Sequence, residues 1–324
     1  MRAYWIEIKN GHSTIEERDT PMPVPTKQQV VVKIHAAALN RGEFIASHGL
    51  TADAKATRAG IEAAGEVTHM GPDATGMKIG DRVMGRVTGA YAEYALMDAR
   101  EAIPVPSALS WEEAAATPIT FCVVHDMLIG QGRLKAGEWL LVPGVSSGVG
   151  VAALQAGKAL GAKIIGTSRS AEKLARLAPL GLDVPIVSKG ADFHDAVMKA
   201  TADHGADLVV NTVGGTIFSE CLRSLAFQGR IAMVGYLDRV VSSEIDLAAL
   251  HAKRLRIFGV SNKFRDAAGR SETTREFIKD LLPAFADGRI KPLIDKVFDF
   301  EQMADAKRYM ESDAQTGKIV LRVI

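Results

Sequence analysis

Along the first part of the chain, apolar residues come in short runs divided by glycine, proline and aspartate. Val30–Ala37 (VVVKIHAA) is rich in β-branched side chains, and Ala63–Met70, Asp81–Val87 and Ala90–Met97 are further short runs. Many short strands with turn signals between them predict an antiparallel, barrel-like domain. Ser110, followed by Glu112 and Glu113, predicts a capped helix over Ser110–Ala116. From Trp139 the rhythm changes. Apolar runs at Trp139–Val142, Lys163–Thr167, Asp207–Val210, Arg230–Val234 and Leu255–Val260 alternate with helical stretches at Val151–Leu160, Ala171–Leu177, His194–Thr201 and Phe218–Leu225. That alternation predicts a doubly wound parallel sheet. Thr273–Phe285 reads as a helix. The tail returns to strands, Lys296–Phe298 and Lys318–Val323, around a helix over Glu301–Glu311, and is expected to fold back onto the first domain. The fold class is α/β.

The chemistry concentrates where the rhythm changes. The run Trp139–Val142 leads into a turn of Gly144, Val145, Ser146, Ser147, Gly148, Val149 and Gly150, and then into the helix. Strand, small-residue turn and helix place backbone N–H groups and a positive helix end against a pyrophosphate. The second strand ends at Ser168 and Arg169, with Lys173 following, and the segment Ile165–Ser170 holds no acid. NAD-specific sites usually hold the ribose 2′-OH with an acid there. The basic end therefore predicts NADPH, with Arg169 and Lys173 otherwise simply solvated. Later strand ends add Val213 and Gly214 (within NTVGG), Gly235 and Tyr236, and Val260 and Ser261 as contacts to ribose or nicotinamide, because sheet carboxyl ends face the ligand crevice.

Composition narrows the partners. The 324 residues hold 39 basic and 38 acidic side chains, 47% hydrophobic and 24% charged residues. A net charge of +1 gives no reason to expect nucleic acid or a membrane surface as partner. Two cysteines, Cys122 and Cys221, allow neither a disulfide framework nor a zinc site of three or four thiolates, which favours a reducing, cytoplasmic setting. The N-terminus becomes charged within a few residues and lacks the apolar core of a signal peptide. No Ser-His-Asp or Cys-His nucleophile pattern is evident, and hydride transfer without a covalent enzyme intermediate is expected.

Several stretches, in order, form one pattern: GIEAAGEV (Gly60–Val67), GDRV (Gly80–Val83), AYAEYAL (Ala90–Leu96), VSSGVG, GRIAMVGY (Gly229–Tyr236) and GKIVL (Gly317–Leu321). Together they resemble the medium-chain dehydrogenase/reductase superfamily, and most the zinc-free NADPH:quinone oxidoreductases similar to zeta-crystallin. The resemblance implies a GroES-like β-barrel domain over 1–120 and 265–324, a Rossmann domain over 121–264, an active site in the cleft between them, and a homodimer. It implies Asn40 and Arg41 beside the nicotinamide and acceptor, and Glu62 organising that region through hydrogen bonds. Thr120 is implied near the nicotinamide ribose and phosphates, or else as a helix cap. Lys318 is implied at the cofactor phosphates. Tyr91 would line the substrate entrance or pack in the barrel. The tyrosines frequent in such quinone reductases are replaced by Ile45 and Thr51, which leaves His48 as a polar contact to a small-molecule quinone or enone. Ile61 stands where the zinc-dependent branch has a ligand histidine, and the cysteine loop of that branch is absent, so no metal is expected. The implied activity is reduction of a quinone or of the C=C bond of an α,β-unsaturated carbonyl. The alternatives are an enoyl-thioester reductase and a non-catalytic NADPH-binding redox sensor.

Overall fold

The computed structural model describes residues 1–10, 12–44, 54–262 and 264–324. His48, Ile45 and Thr51 lie outside the described residues. Backbone contacts divide the chain into two units, Met1–Cys122 with Asp266–Ile324, and Val123–Arg265.

In the first unit, Gln29–Ala38, Glu62–Met70, Arg82–Thr88 and Tyr94–Pro104 pair antiparallel in that order, and Tyr94–Pro104 pairs back onto Gln29–Ala38. This closes a small barrel and removes its edges. The far end of Gln29–Ala38 instead pairs with Lys318–Arg322, with Val320 opposite Ala38, and Ile294–Asp299 runs parallel to that tail strand. The tail is thus part of the first unit's sheet. Inward-facing Val30, Val32, Ile34, Val67, Val83 and Met97 are buried together with Phe298, Met303 and Ile319. Ser110 caps Trp111–Ala115, and Glu113 returns a bond to the Ser110 N–H, so both orphan donors are met. Arg2–Lys9, His12–Asp19 and Ala54–Arg58 form a separate three-stranded sheet.

The second unit is a six-stranded sheet, all parallel, in the order Val184–Val187, Lys163–Ser168, Trp139–Pro143, Ala206–Asn211, Leu225–Met233, Arg256–Gly259. Counted along the unit this is 3-2-1-4-5-6, the order of dinucleotide-binding sheets, and it reverses between Trp139–Pro143 and Ala206–Asn211. The helix Gly148–Ala159 is buried from Gly150 through Gly157 because its residues there are mostly alanine, glycine and valine. A Cβ on Gly157 would stand 2.8 Å from the side-chain ends of Ile164 and Leu140, so the helix lies close against the sheet there. No helix among the described residues is long and apolar enough to cross a membrane.

Candidate functional site

The switch point of the parallel sheet carries the turn singled out from the sequence. Pro143 ends the strand, and Gly144 turns the chain at φ 68°, a conformation that favours glycine. Val145 is buried, and its N–H donates to the Thr167 carbonyl at 3.0 Å. Gly166 makes room for it, since a Cβ there would meet Val145 at 2.7 Å. Ser147 caps the helix by accepting from the Gly150 N–H at 3.0 Å. The first helical N–H groups, those of Gly148 and Val149, have no carbonyl to reach within the helix. Ser146, Ser147, Gly148 and Val149 are partly exposed, whereas Gly150 is buried. A Cβ on Gly150 would stand 2.6 Å from the Gly144 carbonyl and 2.7 Å from the Val145 backbone. Gly150 was expected to touch the cofactor; close packing makes it the residue that shapes the turn instead.

Around this turn the other strand ends are tied in. The Ser168 hydroxyl is buried beside Ser146 (3.4 Å) and accepts from the Ser170 N–H (3.3 Å), while Arg169 is exposed and Lys173 partly so. Thr212 donates to the Pro143 carbonyl at 3.0 Å. The Asn211 amide oxygen accepts from the Val213 and Gly214 N–H groups, and its nitrogen donates to the Gly214 carbonyl at 3.0 Å, so one buried side chain builds the turn. Asp238, on the loop after the next strand, accepts from Thr216 N–H and hydroxyl (2.8 and 2.6 Å) and from the Val240 N–H (2.9 Å). It locks two crevice loops together. Gly214, at φ 130°, is buried under that carboxylate, so the loop presents Val213 rather than Gly214. Gly235 is partly exposed and Tyr236 and Ser261 are exposed, but Val260 is buried, its N–H donating to the Met233 carbonyl.

The first unit holds a separate polar cluster at the end of strand Gln29–Ala38. The Glu62 carboxylate, fully buried, accepts from Lys318 Nζ at 2.7 Å, from Asn40 Nδ2 at 2.9 Å and from the Ile119 N–H at 2.8 Å. Lys318 Nζ also donates to Asn40 Oδ1 (2.9 Å) and to the Leu39 carbonyl (3.2 Å). Its three hydrogens are therefore engaged at Glu62, Asn40 and Leu39, which replaces the role at the cofactor phosphates expected from its motif. Glu43 Oε1 accepts from the Asn40 N–H (3.2 Å), from Asn40 Nδ2 (3.3 Å) and from the Tyr91 hydroxyl (3.0 Å). Burial pushes the Glu43 carboxyl up to about 7, against the Tyr91 and Asn40 bonds that favour its ionised form. Burial and the neighbouring Glu43 hold the Tyr91 phenol well above its ordinary value.

Two further expectations are corrected here. Tyr91 has no exposed surface and stacks on Phe44, so it supports Glu43 and does not line an entrance. Arg41 pairs with Asp313, its Nη2 lying 3.2 Å from Oδ2, so a carboxylate meets its charge. Thr120 is 4% exposed inside the helix Pro118–His125, neither a cap nor an open surface. Burial raises the Cys122 thiol to about 12, which keeps it in the unreactive form. Glu43 and Asp238 were not read from the sequence. Glu43 had a signal, since Asn40 followed three residues later by Glu at a helix start is a capping-box pattern. Asp238 had only the local signal of an Asp bonding the N–H two residues on, at Val240; its tie to Thr216 crosses to another strand's loop.

A closed barrel joined to a 3-2-1-4-5-6 sheet with a glycine-serine turn at its switch point defines a dinucleotide-dependent oxidoreductase fold. Residues 26–107 match the alcohol dehydrogenase GroES-like domain, and residues 148–279 match the zinc-binding dehydrogenase family. Mouse quinone oxidoreductase is 30% identical over 329 residues, covering 99% of this chain and 97% of that protein. A phenolphthiocerol/phthiocerol polyketide synthase from Mycobacterium tuberculosis is 30% identical over 301 residues, covering 92% of this chain; the chain spans 14% of that relative's length. A mycobacterial protein solved in complex with NADPH superposes with a TM-score of 0.89 at 26% identity, over 100% of both chains. The chain belongs to the medium-chain dehydrogenase/reductase superfamily, in its quinone oxidoreductase branch.

The residues do not fit the zinc of the second family's description. Ile61 offers no donor atom, and among the described residues no three His, Cys, Asp or Glu side chains come together. A dinucleotide does fit, because the Ser146–Val149 turn is partly exposed at the sheet's switch point and its N–H groups belong to a helix start.

Proposed function

We propose that the chain is an NADPH-dependent, metal-independent reductase acting on a quinone or on the C=C bond of an α,β-unsaturated carbonyl. The observation that carries this reading is the open Ser146–Val149 turn at the switch point, flanked by an acid-free, basic strand end at Ser168 and Arg169. The N–H groups of Gly148 and Val149, with Ser146 and Ser147, would hold the pyrophosphate. Ser168, Arg169 and Lys173 would hold the ribose 2′-phosphate. Val213, Gly235, Tyr236 and Ser261 stand at the strand ends where the nicotinamide half would lie. When bound, NADPH supplies the hydride. Asn40 orients the acceptor oxygen, and Glu62 with Lys318 fixes the Asn40 side chain from behind.

The quinone oxidoreductase relatives support a quinone acceptor. Likeness to a segment of a polyketide synthase favours a thioester-linked enone as the second reading. We place the protein in the cytoplasm on its cysteine usage. Among the described residues the edge strand Arg256–Gly259 pairs on one side only and, with Ile257 exposed, supports a homodimer formed along it. NADPH oxidation against panels of quinones, enones and enoyl thioesters, before and after exhaustive chelation, tests the function. The reading expects turnover of at least one panel, unchanged by chelation. Tight NADPH binding with no turnover would favour the redox-sensor alternative, and activity lost to chelation and restored by zinc would contradict metal independence.

A further inference from the structure

The Asn40 amide is fully engaged. One of its hydrogens faces Glu62 Oε1 at 2.9 Å, the other is drawn toward Glu43 Oε1 at the longer 3.3 Å, and its oxygen accepts from Lys318. An amide with both hydrogens given to carboxylates has none to offer a substrate. The weaker of the two contacts is the one to Glu43. Glu43 Oε1 in turn collects three donors on one oxygen, two from Asn40 and one from Tyr91.

Resting on the reading of Asn40 as the group that meets the acceptor oxygen, we propose that Glu43 is a positioning residue. Its carboxylate withholds an Asn40 amide hydrogen, and its protonation frees that hydrogen for the acceptor. A neutral carboxyl oxygen accepts more weakly than a carboxylate, since bonds to charged groups are roughly twice as strong as neutral ones. The proton comes from solvent and remains on Glu43; no covalent bond changes in this step beyond the O–H that forms. The groups that act on Glu43 are named by the packing. Tyr91 donates to it from the segment before Tyr94–Pro104, and Glu62 on Glu62–Met70 repels its charge. Lys318 on the tail strand attracts that charge, and on its own helix Arg41 is paired with Asp313. Burial outweighs the bonds that favour ionisation and places the change near pH 7.

The sign follows. The releasing form is the protonated one, so kcat/KM falls as pH rises through about 7. One unit above the midpoint about a tenth of the molecules remain protonated, so the unsubstituted enzyme is roughly tenfold slower there than on its acid plateau. Glu43→Gln keeps an oxygen for the three donors but cannot ionise. It is expected to flatten this limb and to outpace the unsubstituted enzyme at alkaline pH, with the NADPH Kd unchanged. Tyr91→Phe removes a bond that favours the carboxylate and is expected to move the midpoint upward. A protonated-carboxyl infrared band that titrates near neutrality and disappears in Glu43→Gln gives the same answer without turnover. A Glu43→Gln enzyme that keeps the unsubstituted pH profile overturns the role of Glu43 alone. An unsubstituted chain that turns over no acceptor overturns the reductase reading and this proposal with it.

Discussion

Arg169 ends the strand Lys163–Ser168 exposed to solvent, and Lys173 lies in the first turn of the helix Ala171–Leu177 that follows. Neither belongs to a buried core cluster, and on the proposed reading both meet the ribose 2′-phosphate. Hydrogen bonds to charged groups contribute roughly 1.5–3 kcal/mol each, and exposure pushes these toward the low end. One such bond corresponds to about tenfold in affinity and two to about a hundredfold. Replacing both Arg169 and Lys173 with alanine should therefore erase most of a roughly hundredfold preference for NADPH over NADH while leaving NADH affinity nearly unchanged. Calorimetric Kd values for both cofactors read this directly; equal values in the unsubstituted protein would return the two residues to the solvated surface. Local sequence offers this pair as candidates because the information, a strand end without an acid, is contiguous. The partners of Lys318 and Arg41, Glu62 and Asp313, were not legible because they lie more than two hundred residues away in the chain. A charge in a motif says nothing of the carboxylate that will meet it.

At the scale of elements, the turn Gly144–Gly150 depends on two different glycines. Gly144 supplies the positive φ, and Gly150 supplies the space in which the helix starts. Gly150→Val would drive a branched side chain into the Gly144 carbonyl and the Val145 backbone, neither of which can swing away as a side-chain end can. Overpacking of this kind costs roughly 1–3 kcal/mol, and it displaces the N–H groups that would face the pyrophosphate. The variant should lose NADPH binding, read by nucleotide fluorescence, and melt at a lower temperature; a folded variant with unchanged affinity would show that the turn holds no ligand. The inner strands of the parallel sheet were legible because buried strands read as continuous apolar runs. Elsewhere the pattern failed for physical reasons. Val184–Val187 carries Pro185 and lies at the sheet edge, where proline is tolerated but propensity is poor. His12–Asp19 is mostly polar and exposed, with no apolar stripe to read. The predicted helix Thr273–Phe285 is two helices, Ala267–Asp280 and Leu282–Ala286, because Pro283 disfavours continuation while Asp266 caps an earlier start. The strand Tyr94–Pro104 begins later and runs farther than Ala90–Met97, through Asp98, Arg100 and Glu101, of which Glu101 is buried and paired with Arg270.

At the scale of the whole molecule, each unit has its own buried core, and each offers one piece to the proposed chemistry: the glycine-serine turn in one, the hydrogen-bonded Asn40 cluster in the other. The edge strand Arg256–Gly259 gives the expectation for assembly. Sedimentation velocity at micromolar concentration should find a dimer, and substituting Ile257 with aspartate should shift it toward monomer; a monomer in the unsubstituted protein would contradict the pairing. The central claim is that hydride passes from NADPH to a carbon or oxygen acceptor without a metal or a covalent enzyme intermediate. NADPH deuterated at C4, prepared separately with the label on each face, and supplied with an enone acceptor, tests it most directly. The account predicts that one of the two preparations delivers its deuterium to the β-carbon of the reduced product, as read by mass spectrometry and NMR. Label lost to water from both preparations, or an acceptor that stays unreduced while NADPH is bound, would contradict it.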